Sequence, residues 1–111
     1  MKEDNTMIIK AKDGKQKEFL GVSFDVLATG DKSMVAKMNF KKGDFVRFHQ
    51  HPNEQSGYVV SGKYRYKFGD YDEILEQGDS YVIPANTKHS IEAMETGIVI
   101  DFFVPPRKEY L

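Results

Sequence analysis

The chain has no cysteine and no tryptophan, and only three histidines and four prolines among its 111 residues. Without cysteine there can be no disulfide, thiolate zinc site, iron–sulfur cluster or cysteine nucleophile. That absence fits a reducing cytoplasm, which is the expected location. No apolar stretch approaches the roughly 20 residues that span a bilayer, and the opening MKEDNTMIIKAK lacks the apolar centre of a secretory signal. A surplus of one charge is missing too: 16 basic residues stand against 17 acidic ones, for a net charge of −1. Nucleic acids and membrane surfaces select a basic patch, so neither is an expected partner. The densest basic spots, Lys15-Gln16-Lys17 and Lys41-Lys42, read as solvated turns.

Sustained 3.6-residue periodicity is also lacking. Its place is taken by short β-branched and aromatic runs at hairpin spacing, punctuated by Gly43-Asp44, Gly69-Asp70 and Gly78-Asp79. Strands are expected over Thr6–Lys12, Phe19–Ala28, Ser33–Phe40, Phe45–His51, Ser56–Ser61, Lys63–Phe68, Tyr71–Glu76, Ser80–Pro84, His89–Ala93 and Ile98–Val104. Lys63–Phe68 alternates most cleanly, with Tyr64, Tyr66 and Phe68 against Lys63, Arg65 and Lys67. The pattern predicts one all-β domain over residues 1–111, a sandwich or small barrel, with residues 1–5 frayed. Pro105 and Pro106 cannot donate to a ladder, so the last strand stops there. The tail PPRKEYL is expected to pack as a short helix or turn over one end.

The histidines are concentrated. His49 and His51 lie one residue apart in GDFVRFHQHPNEQSGYVVSG, and His89 ends a second block, GDSYVIPANTKH. On an extended strand His49 and His51 share a face, about 7 Å apart at Cα, and Gln55 follows four positions later. Two imidazoles, joined by His89 and the Gln55 amide oxygen, make a candidate site for one divalent transition metal: Zn, Ni, Fe, Mn or Co. Three unrelated strand histidines are the alternative, and it leaves their shared glycine-framed setting unexplained. Glu54 alternates away from Gln55, which favours the amide over the carboxylate as ligand. The same alternation puts Phe45 and Arg47 on the face of His49. It puts Ile91 and Ala93 with His89, and turns Ser90 and Glu92 outward. Arg47 is then either a rim arginine or a partner for a substrate carboxylate. Ile98–Val104 reads as a strand buried on both faces, interrupted by Asp101. A carboxylate there either pairs with a nearby Lys or Arg or works as a general acid/base.

The spacing of these residues resembles a known family. Gly43, His49, His51, Gln55 and Gly62 are similar to the first cupin motif, with Gln where many members have Glu. Gly78, Pro84 and His89 are similar to the second. The resemblance implies a double-stranded β-helix (jelly-roll) barrel whose mouth holds a metal on His49, His51, Gln55 and His89. Asn86 replaces the usual glycine, a change that asparagine's tolerance of the left-handed region allows, and Ala93 replaces the final asparagine. HPNEQSGYVVSG, GDSYVIPANTKHSIEA and DFFVPPRKEYL further resemble the small cupins of the pectin-degradation type, which are credited with opening unsaturated uronates to linear keto acids. That likeness implies catalytic roles for Asp101, Phe103 and Arg107, with Arg107 and Phe103 also touching substrate. Asn53 stands where a histidine is common in that group. The expectation is therefore a metal-binding cupin, acting as an isomerase or tautomerase on a small acidic sugar. A metal-dependent dioxygenase and a non-catalytic sugar-acid or metal sensor are the alternatives. Exposed barrel edges are commonly managed by pairing, and Thr6–Lys12 is the candidate for exchange in a homodimer.

Overall fold

The computed structural model describes residues 7–111, so the frayed end expected over residues 1–5 lies outside it. Ten strands occur among the described residues: β1 Lys15–Phe19, β2 Val22–Thr29, β3 Met34–Phe40, β4 Phe45–His49, β5 Glu54–Val59, β6 Lys63–Phe68, β7 Tyr71–Glu76, β8 Ser80–Ile83, β9 His89–Glu95 and β10 Gly97–Val104. They form two antiparallel sheets, six-stranded β1-β2-β3-β10-β5-β8 and four-stranded β4-β9-β6-β7. The architecture is the jelly-roll that the sequence predicts. No helix among the described residues is long and apolar enough to cross a membrane.

Period-2 alternation builds the interior, because successive strand side chains point to opposite faces. Val22, Phe24 and Val26 of β2, Met34, Ala36, Met38 and Phe40 of β3, and Tyr64 and Tyr66 of β6 all turn inward into one core with Val99 and Phe103 of β10. β10 departs from the expectation of burial on both faces. Val99, Asp101 and Phe103 are buried, but Phe102 and Val104 are 41% and 49% exposed. No second layer covers the outer face of this sheet within the described chain, so an apolar residue there stays in water.

Three further expectations are corrected. From Met7 to Lys12 the chain is not a strand. Residues Ala11–Asp13 form a 3-10 turn closed by Asp13 N–H to Lys10 C=O, 2.9 Å. Local i→i+3 bonds serve the backbone where no neighbouring strand lies alongside. Lys15-Gln16-Lys17 is not a turn but part of β1, an edge strand paired with β2 from Lys15↔Val26 to Phe19↔Val22. Lysine is common on such edges, where it discourages pairing with other chains. Ser90, expected outside, is buried. It is a small side chain opposite Lys67 of β6 and beside the irregular part of β4.

Gly97 shows how tightly β10 enters the fold. A Cβ there would collide with the main chain of Ser61, which Ile98 bonds in both directions (Ile98 N–H to Ser61 C=O 3.2 Å, Ser61 N–H to Ile98 C=O 3.1 Å). Backbone held by such pairing cannot step aside. Gly97→Ala is therefore expected to cost about 1–3 kcal/mol, read in urea as a lower midpoint with an unchanged slope.

Candidate metal centre

His49 closes β4, His51 lies just beyond it, and His89 opens β9 directly across from His49 in the β4–β9 register. The main-chain N–H of Asn86 bonds the His51 carbonyl at 2.8 Å, tying the turn of the second motif to the loop of the first. Asn86 has φ +59°, the left-handed conformation that asparagine accepts with little strain. One ligand atom from each of the three histidines lies within 4.8 Å of the others.

The hydrogen bonds decide which ring nitrogens face that point. Each Nδ1 sits against a main-chain carbonyl: His49 on Arg47 (3.0 Å), His51 on Asn53 (3.0 Å) and His89 on Thr87 (2.8 Å). A carbonyl can only accept, so in the neutral rings Nδ1 carries the proton and Nε2 presents a lone pair. His89 Nε2 is buried with no hydrogen-bond partner, and His51 Nε2 faces the Gln55 oxygen at 3.1 Å. Two acceptors at that distance repel each other unless a cation lies between them. The residues present thus fit a cation: three lone pairs and an amide oxygen, the rings oriented by hydrogen bonds from Nδ1 to main-chain carbonyls as metal-binding histidines are.

Burial keeps the rings neutral. It is the largest cause of the lowered pKa of His49 and His51, and His89 is pushed down to about 4 by the same cause. The positive charge of Arg107 adds to all three depressions.

Gln55 is buried and Glu54 exposed, as the alternation of β5 requires. β4 does not keep its alternation. Val46 pairs with Ile91 and His49 with His89, so three steps on β4 answer two on β9. This bulge flips the faces: Val46 and His49 turn in, whereas Phe45, Arg47 and Phe48 are exposed. The structure therefore does not place Phe45 or Arg47 in the cup. A bulge re-aims side chains in this way, and strict alternation cannot anticipate it.

Asp101 is 2% exposed. Its partner is neither Lys nor Arg but the hydroxyl of Tyr81, which donates to Oδ1. Burial raises its pKa to about 6, against the opposing effects of the Tyr81 hydroxyl, the Gln55 amide and the Arg107 charge. An amide that lowers a carboxyl's pKa does so as a donor, so the Gln55 oxygen is left for His51 and the space between them.

Arg107 is also buried. Its guanidinium lies 4.5 Å from the Phe19 ring centre and 4.4 Å from that of Tyr110, and it donates to the Tyr110 hydroxyl (3.0 Å) and to Glu109 (3.3 Å). Phe103 packs edge-on against His51, 5.7 Å between ring centres. Asn53 gives its amide to the Pro105 carbonyl at 2.6 Å, fastening the tail to the histidine loop. The tail ends in a 3-10 turn at Lys108–Tyr110, the short turn expected of PPRKEYL. The cavity at the centre is about 10 Å³, lined by His49, His89, Gln55, Asp101, Arg107, Tyr110 and Phe19 among others. That is room for about one water.

Phe19, Tyr81 and Tyr110 carry no signal in the sequence that marks them for the site. They reach the site from β1, β8 and the tail, with no motif to mark them.

The family profile described as "Cupin domain" matches residues 36–104, well over half the chain. The chain is a cupin. This cupin superposes on an RmlC-like cupin from Shewanella frigidimarina NCIMB 400 with a TM-score of 0.86 at 26% identity, over 94% of this chain and 95% of that one. It matches KdgF from Halomonas sp. with a TM-score of 0.85 at 28% identity, over 94% and 99% of the two chains. A Bacillus subtilis oxalate decarboxylase, at 20% identity and TM-score 0.76, shares the fold over 85% of this chain and 28% of its own length. No curated protein matches the sequence.

Two outcomes follow for this cupin. His89→Ala is expected to weaken metal binding at least about tenfold, measured by elemental analysis after dialysis against a competing chelator. In the metal-free protein, acid destabilises the fold through the histidines. The unfolded rings take up protons near pH 6.5, whereas folded His89 resists to about pH 4. Asp101 has the opposite sign: folded it binds a proton near pH 6, unfolded near 3.8, so falling pH favours the fold in that window. Asp101→Asn should therefore make the loss of urea stability between pH 6.5 and 4.5 steeper than in the wild type.

Proposed function

We propose that this cupin is a metal-dependent isomerase that opens an unsaturated uronate to a linear keto acid, with His49, His51, Gln55 and His89 as the metal ligands. The observation that carries the reading is a carboxyl with a raised pKa, Asp101, lining one small cup with His49, His89 and a buried guanidinium, where the cluster of three imidazoles converges. The likeness to KdgF and the resemblance of the sequence motifs to the pectin-degradation cupins support it. A bound divalent ion would supply Lewis-acid polarisation of substrate oxygens.

Opening such a sugar is an isomerisation. A proton leaves the anomeric hydroxyl, the bond from that carbon to the ring oxygen breaks, and a proton arrives on the carbon of the former double bond as the enol becomes a ketone. No oxidant or second substrate is consumed. Asp101, poised near pH 6 rather than 4, can both take and return a proton at neutral pH. Arg107 provides the charge for the substrate carboxylate, and Phe103 an apolar wall beside His51. Gln55 in place of a carboxylate leaves the ligand set uncharged, which favours an anionic guest.

A sugar acid exceeds the space in the cup, so binding requires that the cap of Arg107, Tyr110 and Phe19 shift. Asp101→Asn should lower kcat about 10²–10⁴-fold with metal content retained, followed as loss of ultraviolet absorbance by an unsaturated uronate. Arg107→Met should act mainly on KM. Normal turnover by Asp101→Asn would remove the proton-transfer role, and oxygen consumption on substrate addition would favour a dioxygenase.

We also assign a homodimer. Tyr58, Val82, Phe102 and Val104, between 41% and 51% exposed, lie on the outer face of the six-stranded sheet, with Phe102, Ser56 and Val82 in one register row. Apolar exposure of that kind favours burial against another surface, here a second copy. Light scattering is expected to return twice the chain mass, and Phe102→Lys a monomer.

A further inference from the structure

Tyr81 has no place in the chemistry proposed above, yet its hydroxyl meets the carboxyl at the heart of it. The contact spans an intervening strand. Asp101 of β10 pairs with Gly57 of β5, and Gly57 pairs with Tyr81 of β8, so the three occupy one row across the sheet. Side chains two strands apart do not ordinarily touch, because the middle residue's side chain stands between them. Here the middle residue is glycine. A Cβ at Gly57 would fall onto the Tyr81 phenol carbon and hydroxyl and onto Asp101 Oδ1. Its absence lets the phenol ring lie across β5 and reach Asp101.

The ring is held from the other sheet as well. Tyr66 of β6 packs against it with ring centres 4.4 Å apart and donates its hydroxyl to the Tyr81 oxygen at 3.0 Å. With that oxygen accepting from Tyr66, the Tyr81 proton is committed to Asp101. The order of donation is thus Tyr66, then Tyr81, then Asp101.

We propose that Tyr81 is a positioning residue: seated over Gly57 and steered by Tyr66, it pins one oxygen of Asp101 so that the other faces the metal cup. Without the pin, the Gln55 amide alone restrains rotation of the carboxyl about its Cβ–Cγ bond, and the geometry of proton transfer degrades. The assignment rests on the role given to Asp101 under the proposed function. It also makes a claim about the hydrogen bond itself that stands without turnover.

The test uses the metal-reconstituted protein and an unsaturated uronate. Tyr81→Phe keeps the ring and removes the pin. The expected result is a fall in kcat of about 10- to 100-fold, with KM and metal content within about twofold of wild type. On the Asp101→Asn background the same substitution should cost nothing further, because the group it positions no longer transfers a proton. An equal loss in both backgrounds marks a merely structural tyrosine and overturns the proposal, as does unchanged kcat in Tyr81→Phe.

Proton NMR supplies the readout that does not depend on turnover. At pH 8 the Tyr81 hydroxyl proton should appear as a slowly exchanging downfield resonance that moves upfield in Asp101→Asn. A resonance indifferent to Asp101 also overturns the proposal. If the wild type fails to open unsaturated uronates, the functional reading falls, and the resonance alone decides whether Tyr81 holds Asp101.

Discussion

Each of the three imidazoles gives its Nδ1 proton to a main-chain carbonyl, and everything at the mouth of the barrel follows from that use of the backbone. The carbonyls belong to residues two positions before His49 and His89 and two after His51, so the local chain path sets both the ring planes and the tautomer. What remains is three Nε2 lone pairs close to one another, beside a space too small for anything larger than a water or an ion. Burial then makes protonation of those nitrogens unfavourable. The result is a cluster of bases that stay uncharged at neutral pH while lacking donors of their own. A divalent ion resolves that arrangement without the release of protons.

The electrostatic balance around this cluster is unusual for a buried site. Of the acids near it, Asp101 is kept partly protonated near neutrality by burial, while Glu109 accepts from Arg107, whose guanidinium lies between aromatic rings rather than against Asp101. A guanidinium held over aromatic faces is stabilised by their π-systems in addition to its carboxylate partner. With Gln55 neutral, the pocket carries positive charge and no compensating ligand carboxylate. That charge state suits a small anion better than a neutral guest. The tail closes over the pair through Asn53, Met34 and Lys17: the Arg107 N–H meets the Met34 sulfur at 3.1 Å, and Lys17 reaches the Leu111 carbonyl at 3.3 Å.

Much of the fold was legible in advance because alternation is a local signal. β6 and β7 fall where their patterns place them, and β3, β8 and β10 agree to within a residue at each end. The errors have a common source. Lys15-Gln16-Lys17 is polar enough to pass for a turn, yet strand formation there depends on β2 lying alongside. Thr6–Lys12 has the composition of a strand, and across its described residues no partner strand turns it into one. Strict alternation puts Arg47 on the wrong face because one extra residue in β4 reverses it, and pairing with β9 decides where that residue goes. Ladder partners are non-local, and their influence leaves no trace in a window of five residues.

The spacing of His49, His51, Gln55 and His89 was enough to nominate a metal-binding jelly-roll, since ligand type and interval are properties of the chain itself. Tertiary structure alone decided who stands behind those ligands. Tyr81 meets Asp101 because β10, β5 and β8 are adjacent, and because a glycine occupies the middle of that row. Phe19 and Tyr110 enclose Arg107 because β1 and the C-terminal turn, at opposite ends of the sequence, end at the same mouth. Groups brought together by sheet order share no sequence interval, so the meeting of the three histidines could be read from spacing and the groups packed behind them could not.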